Sequence, residues 1–165
     1  MGALVGLLTV PQRSLLQHSF LLWPLALVPS LVFVIAARAA FTFAGVDLAA
    51  ITPPNRPASV EFLLSSVVFA PFVETLLMTA GVRLLSVAIS QHLLVAAISG
   101  ILWGIFHGMF GLLWFFGSAW SFFVFSCAYL AWRPRSFSSG FVAAALPHAL
   151  VNLTAVGLLA LAEHR

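Results

Sequence analysis

The chain has 165 residues, of which 62% are hydrophobic and only 7% charged. Soluble domains carry about 25% charged residues, so this composition excludes a surface solvated by water and leaves one solvated by lipid. The formal net charge of +3 comes from seven arginines against four acids, with no lysine. So small and scattered an excess excludes a nucleic-acid footprint and suits arginines placed at helix ends near lipid headgroups.

The length fits a single membrane-embedded domain over 1–165. Residues 1–10 are apolar, and Pro11, Gln12 and Arg13 stop the run. A bilayer core of about 30 Å needs about 20 apolar residues per helix, so this segment is too short to span. No basic region precedes it, which argues against a cleaved signal peptide and for an interfacial or re-entrant segment. The first span is predicted from Phe20 to Ala37, with Pro24 and Pro29 inside it; proline is tolerated in membrane helices because neighbours satisfy the freed carbonyls. Residues 45–59 hold Asp47, Pro53, Pro54, Asn55, Arg56 and Pro57. Proline at that density cannot continue a helix, so this is the longest polar loop. A second span runs from Val60 to Leu85, interrupted by Pro71, a third over 92–112 and a fourth over 114–132. The stretch from Arg133 to Gly140 breaks the pattern, and the last span covers Phe141 to Leu161. The expected fold is all-α, a polytopic bundle of five or six transmembrane helices. With five spans, Arg13, Arg83, Arg133 and Arg135 share one side and Arg38, Arg56 and Arg165 the other; the positive-inside rule then favours a cytoplasmic N-terminus. Cys127 is the single cysteine. It excludes an internal disulfide and reads as a packing or lipid-facing residue.

Ionisable groups in hydrocarbon cost several kcal/mol and are functional candidates by default. Four polar residues stand out, on three different predicted helices: Glu74, His107, and His148 with Asn152. The last two are four apart and share a helix face. Clustering lets such groups satisfy one another, which explains their burial without requiring catalysis. The other ionisable residues read as structural. Asp47 and Glu61 flank the proline-rich loop, Glu163, His164 and Arg165 end the chain, and His18 and His92 sit at span boundaries, where imidazole is cheap to solvate. Arg83 lies nine residues beyond Glu74, a poor helical partner for it, and is expected at the interface. In the third span Ala96, Gly100, Gly104 and Gly108 recur every four residues, a stripe that lets a neighbouring helix approach closely. Ser99, Trp103 and His107 form a parallel row.

The order and spacing of these residues resemble the CPBP family, the CAAX proteases and bacteriocin-processing enzymes. That family's pattern is Glu-Glu-x-x-x-Arg after Ala-Pro, then Phe-x-x-x-His, then His-x-x-x-Asn. Here Ala70-Pro71-x-x-Glu74 matches the start of the first motif, Trp103-x-x-x-His107 the second with Trp for Phe, and His148-x-x-x-Asn152 the third. The resemblance covers the core, residues 60–155. The chain departs from it at Thr75, where a second Glu is usual, and at Thr79, where the Arg is usual; Arg83, one turn further on, is a partial substitute for that Arg. The resemblance implies a multi-pass protein of a prokaryotic inner membrane and a glutamate-type protease without metal or cofactor. Its partners would be the lipid bilayer and a protein or peptide substrate cut at the membrane, such as a prenylated protein, a bacteriocin leader or a C-terminal sorting signal.

The chemistry is consistent with that implication. Peptide hydrolysis needs an activated water, a stabilised oxyanion and a proton for the leaving amine. A poorly solvated carboxylate is a stronger base than one in water, so Glu74 is suited to deprotonate a water that His107 also holds. His148 and Asn152 would donate hydrogen bonds to the oxyanion. The residues leave two other classes open. One is a zinc peptidase with Glu74, His107 and His148 as ligands, although the chain lacks His-Glu-x-x-His. The other is a non-catalytic scaffold or immunity protein of the same fold, which the changes at Thr75 and Thr79 favour.

Overall fold

The computed structural model describes residues 2–11, 13–52 and 59–163. Met1, Gln12, Pro53, Pro54, Asn55, Arg56, Pro57, Ala58, His164 and Arg165 lie outside the described residues, and with them the centre of the predicted polar loop. Among the described residues all regular structure is helical. The helices are α1 (Ala3–Thr9), α2 (Leu15–Phe43), α3 (Leu48–Ile51), α4 (Val60–Leu64), α5 (Ala70–Ala88), α6 (His92–Gly108), α7 (Leu112–Trp132) and α8 (Phe137–Glu163), with a π-turn, Ser65–Phe69, joining α4 to α5.

Four helices are long and apolar enough to cross a membrane: Leu15–Phe43, Val60–Ala88, Leu112–Trp132 and Phe137–Leu161. The predicted third span is the shorter α6, whose 17 residues reach about 26 Å at 1.5 Å per residue. The first span is longer than its apolar run. Its N-terminus is set by a capping box in which Ser14 Oγ accepts from the Gln17 N–H and Gln17 Oε1 from the Ser14 N–H, both at 3.4 Å. Pro24 and Pro29 lie within it without ending it. The last helix also starts earlier than its apolar run, at Phe137, so Gly140 falls in its first turn.

Helix α7 is the centre of the bundle. It packs against α6, α2, α8, α1 and α5, and nearly all its residues from Ser121 to Trp132 are buried. Elsewhere the apolar surface turns outward, as with Phe20, Val28, Val32 and Ile35 on α2, which is what a lipid-solvated exterior requires. The predicted small-residue stripe meets α7. A Cβ at Gly100 would lie 2.5 Å from the Ala119 carbonyl oxygen, and one at Gly104 2.7 Å from Ala119 Cβ. Polar side chains add interhelical bonds in a medium that offers no water: Ser126 Oγ donates to Ser99 Oγ at 2.9 Å, and Ser30 Oγ to the Gly117 carbonyl at 2.8 Å.

The N-terminal segment docks on the bundle, with α1 packed against α7. His18 holds it there, and this corrects the expectation of a solvated boundary residue: His18 is 1% exposed. Its Nδ1 accepts from the indole N–H of Trp132, so its Nε2 carries the proton, and Nε2 donates to the Leu7 carbonyl at 2.8 Å. Cys127 is buried in the core cluster, the packing alternative of its two readings.

Candidate active site

The π-turn comes from Pro71. Proline has no N–H and clashes with the carbonyl four residues back, and a π-turn is one way for a helix to absorb this. In this register the Ala70 N–H donates to the Ser65 carbonyl, five residues back. The next carbonyl, Ser66, would need the N–H of residue 71, which is proline. That orphaned oxygen is filled from α8: Asn152 Nδ2 donates to it at 2.8 Å. The bond ties the last helix to the turn from which α5 departs, and so fixes the face that α5 presents to the bundle. Replacing Asn152 with Leu leaves the carbonyl unpaired in an apolar setting. The expected loss of stability is about 1–3 kcal/mol, read as a lower midpoint in a thermal melt of purified protein.

Glu74 stands at the middle of the continuous run Val60–Ala88. Its Oε2 lies 3.7 Å from His107 Nε2 and 3.5 Å from His148 Nε2. Three of the four residues singled out by sequence therefore converge on one carboxylate oxygen, from α5, the last turn of α6 and the middle of α8. Glu74 and His107 retain 24% and 18% side-chain exposure, whereas His148 keeps 4%; the carboxylate and His107 are the accessible part of the site. Both spacings exceed a direct hydrogen bond, and the 3.7 Å gap between Glu74 and His107 is short enough for one water, about 2.8 Å from each group, to bridge.

Aromatic rings of α7 form the wall behind this cluster. Phe125 stacks on the His148 ring at 4.7 Å between centroids, and Phe122 meets His148 edge-on at 5.1 Å and His107 at 5.3 Å. Trp103 in turn stacks face to face on Phe122 at 4.4 Å, and its carbonyl lies 2.9 Å from His107 Nδ1. Trp103 stood out in sequence beside His107, but Phe122 and Phe125 did not, because α7 is aromatic throughout and nothing marks two of its rings as special. Ser66 was equally hidden, since it acts through its carbonyl.

The remaining residues are placed differently. Asn152 was expected at the oxyanion; one hydrogen of its Nδ2 goes to the Ser66 carbonyl of the π-turn at 2.8 Å. Thr75 is fully buried, with its Oγ1 3.3 Å from His148 Nδ1. Thr79 turns its hydroxyl back to the Leu76 carbonyl at 2.9 Å. Arg83 has its guanidinium over the ring of Phe137 at 5.7 Å, and among the described residues it makes no ion pair with Glu74. It is exposed, as an interfacial arginine should be. Among the described residues no three His, Cys, Asp or Glu side chains are disposed to hold a metal ion. The two spacings at Glu74 nonetheless come within a few tenths of an ångström of the roughly 3.3 Å between ligands of a tetrahedral zinc. They fit a shared water equally well, so the two readings are separated by chemistry rather than by these distances. No protein-family model matches the chain, and no curated protein or solved structure is significantly similar to it.

Proposed function

We propose that the protein is an intramembrane endopeptidase in which Glu74 activates a water to hydrolyse a peptide bond of a membrane-associated protein or peptide. The observation that carries this reading is the convergence of His107 and His148, from two other helices, on Glu74 Oε2 at 3.7 and 3.5 Å. Burying a carboxylate and two imidazoles among apolar helices is costly, and a general base beside a water-holding imidazole is the arrangement that hydrolysis uses. Glu74 takes the proton of the water that it shares with His107. The hydroxide attacks the scissile carbonyl, the oxygen of which is left to His148. The proton on Glu74 then passes to the departing amine. The likeness of the three sequence motifs to CAAX proteases and bacteriocin-processing enzymes supports the same chemistry and a substrate cut near one of its ends.

The competing reading is a non-catalytic membrane protein of the same fold. It is favoured by the absence of a charged partner for Glu74 at Thr79 and by the position of the Arg83 guanidinium over Phe137. Terminal-peptide mass spectrometry of cells carrying the wild type or Glu74→Gln separates the two. A precursor that accumulates only with the variant supports the peptidase, and identical termini in both strains overturn it.

The water-activation reading also makes a metal prediction. Cleavage should persist in protein purified with a chelator and should not rise on adding zinc. Stoichiometric zinc in elemental analysis, with activity restored only by that metal, would replace the glutamate reading by the zinc one.

A further inference from the structure

We propose that Thr75 is a positioning residue that sets the proton of His148, so that the two imidazoles at Glu74 are held in opposite tautomers. This deepens the peptidase reading and rests on it for its catalytic meaning.

His107 comes first. Its Nδ1 faces the Trp103 carbonyl at 2.9 Å. A carbonyl only accepts, so the proton is assigned to Nδ1, and Nε2 turns a lone pair toward Glu74. His148 is governed by a different kind of partner. Most hydroxyls on these helices donate to a carbonyl of their own helix, as do Thr79 to Leu76, Ser86 to Val82 and Thr154 to Leu150. Thr75 does not: among the described residues its polar partner is His148 Nδ1, at 3.3 Å. Thr75 is fully buried, and a buried hydroxyl without an acceptor is costly. Its hydrogen therefore goes to Nδ1, which must be bare. The proton of His148 then sits on Nε2, aimed at Glu74 Oε2 from 3.5 Å. Stacking on Phe125 holds the ring plane independently of Thr75.

The consequence is a division of labour around one oxygen. Glu74 and His107 both present acceptors, so a water between them gives up both hydrogens and turns its lone pair outward to the substrate. His148 presents the one N–H of the cluster, beside Glu74 Oε2 at 3.5 Å, and a carbonyl oxygen seated next to that carboxylate shares this donor as charge develops on it. A hydroxyl at position 75 is the group that enforces this, because it can donate. A carboxylate there would only accept, and would draw the His148 proton to Nδ1.

The test is spectroscopic and needs no substrate. Protein with ¹⁵N-labelled histidine is placed in lipid nanodiscs at mildly alkaline pH, and imidazole nitrogens are assigned with single His→Gln variants. The expected spectrum has His148 protonated at Nε2 and bare at Nδ1, and His107 the reverse. Thr75→Ser should keep that pattern, whereas Thr75→Val, which preserves shape without the hydroxyl, should shift His148 toward Nδ1 protonation. Nδ1-protonated His148 in the wild type, or an unchanged His148 in Thr75→Val, would overturn the proposal. Should Thr75→Val fail to fold, the wild-type and Thr75→Ser spectra still decide it. A protein with the expected tautomers that cleaves nothing would sink the peptidase reading alone, and one that cleaves with His148 protonated at Nδ1 would sink this inference alone.

Discussion

Glu74→Gln is expected to abolish cleavage while leaving the bundle folded. Glutamine keeps the size of glutamate and most of its hydrogen bonding, but its amide cannot take a proton from water. A general base of this kind contributes about 10²–10⁴-fold to rate. Stability should hold or rise, because an amide is cheaper to bury than a carboxylate. His107→Ala should be comparably inactive, since the proposed water is held by both residues across 3.7 Å. The double variant should then be little worse than either single one, as expected of residues that act as a unit. The assay is processing of a precursor found by terminal-peptide mass spectrometry, read as a mass shift beside a thermal melt of each variant. Full processing by Glu74→Gln would eliminate the glutamate mechanism. Losses that simply add would show that Glu74 and His107 do not share one water.

The second large effect is expected at Gly100, remote from any polar group of the site. An alanine Cβ there would come within 2.5 Å of the Ala119 carbonyl oxygen and 2.9 Å of the Phe123 nitrogen. Both are backbone atoms of α7 and cannot swing aside, so α6 must move away from its neighbour. Overpacking of this kind costs about 1–3 kcal/mol, which outweighs the roughly 1 kcal/mol that alanine gains over glycine within a helix. Because His107 ends the same helix, cleavage should fall as well. Gly81 is the control, since a Cβ at that position meets nothing within 4 Å. Gly81→Ala should therefore be neutral or slightly stabilising. Equal melting temperatures for the two variants would refute the close approach of α6 to α7.

What could be read from the amino-acid order was each helix's relation to its medium. Runs of apolar residues marked the spans, because lipid must solvate them. Glu74, His107, His148 and Asn152 stood out because polar groups are expensive there, and the glycine stripe announced a close neighbour without saying which helix it was. The tertiary structure decided which faces meet. The π-turn at Pro71 changes the rotation of α5 relative to α4, and no helical periodicity anticipates a shift that depends on Asn152 reaching the Ser66 carbonyl from a helix 86 positions away. The same holds for His18, polar and near a span boundary, which is buried because Leu7, 11 positions before it, and Trp132, 114 positions after it, bond both its nitrogens. Thr75 looked like a lost carboxylate, and only packing placed its hydroxyl on His148. Burial against lipid is a property of each segment alone and is therefore legible in sequence. Convergence on Glu74 depends on crossing geometry between helices, which is set by backbone close approach and by orphaned carbonyls seeking donors.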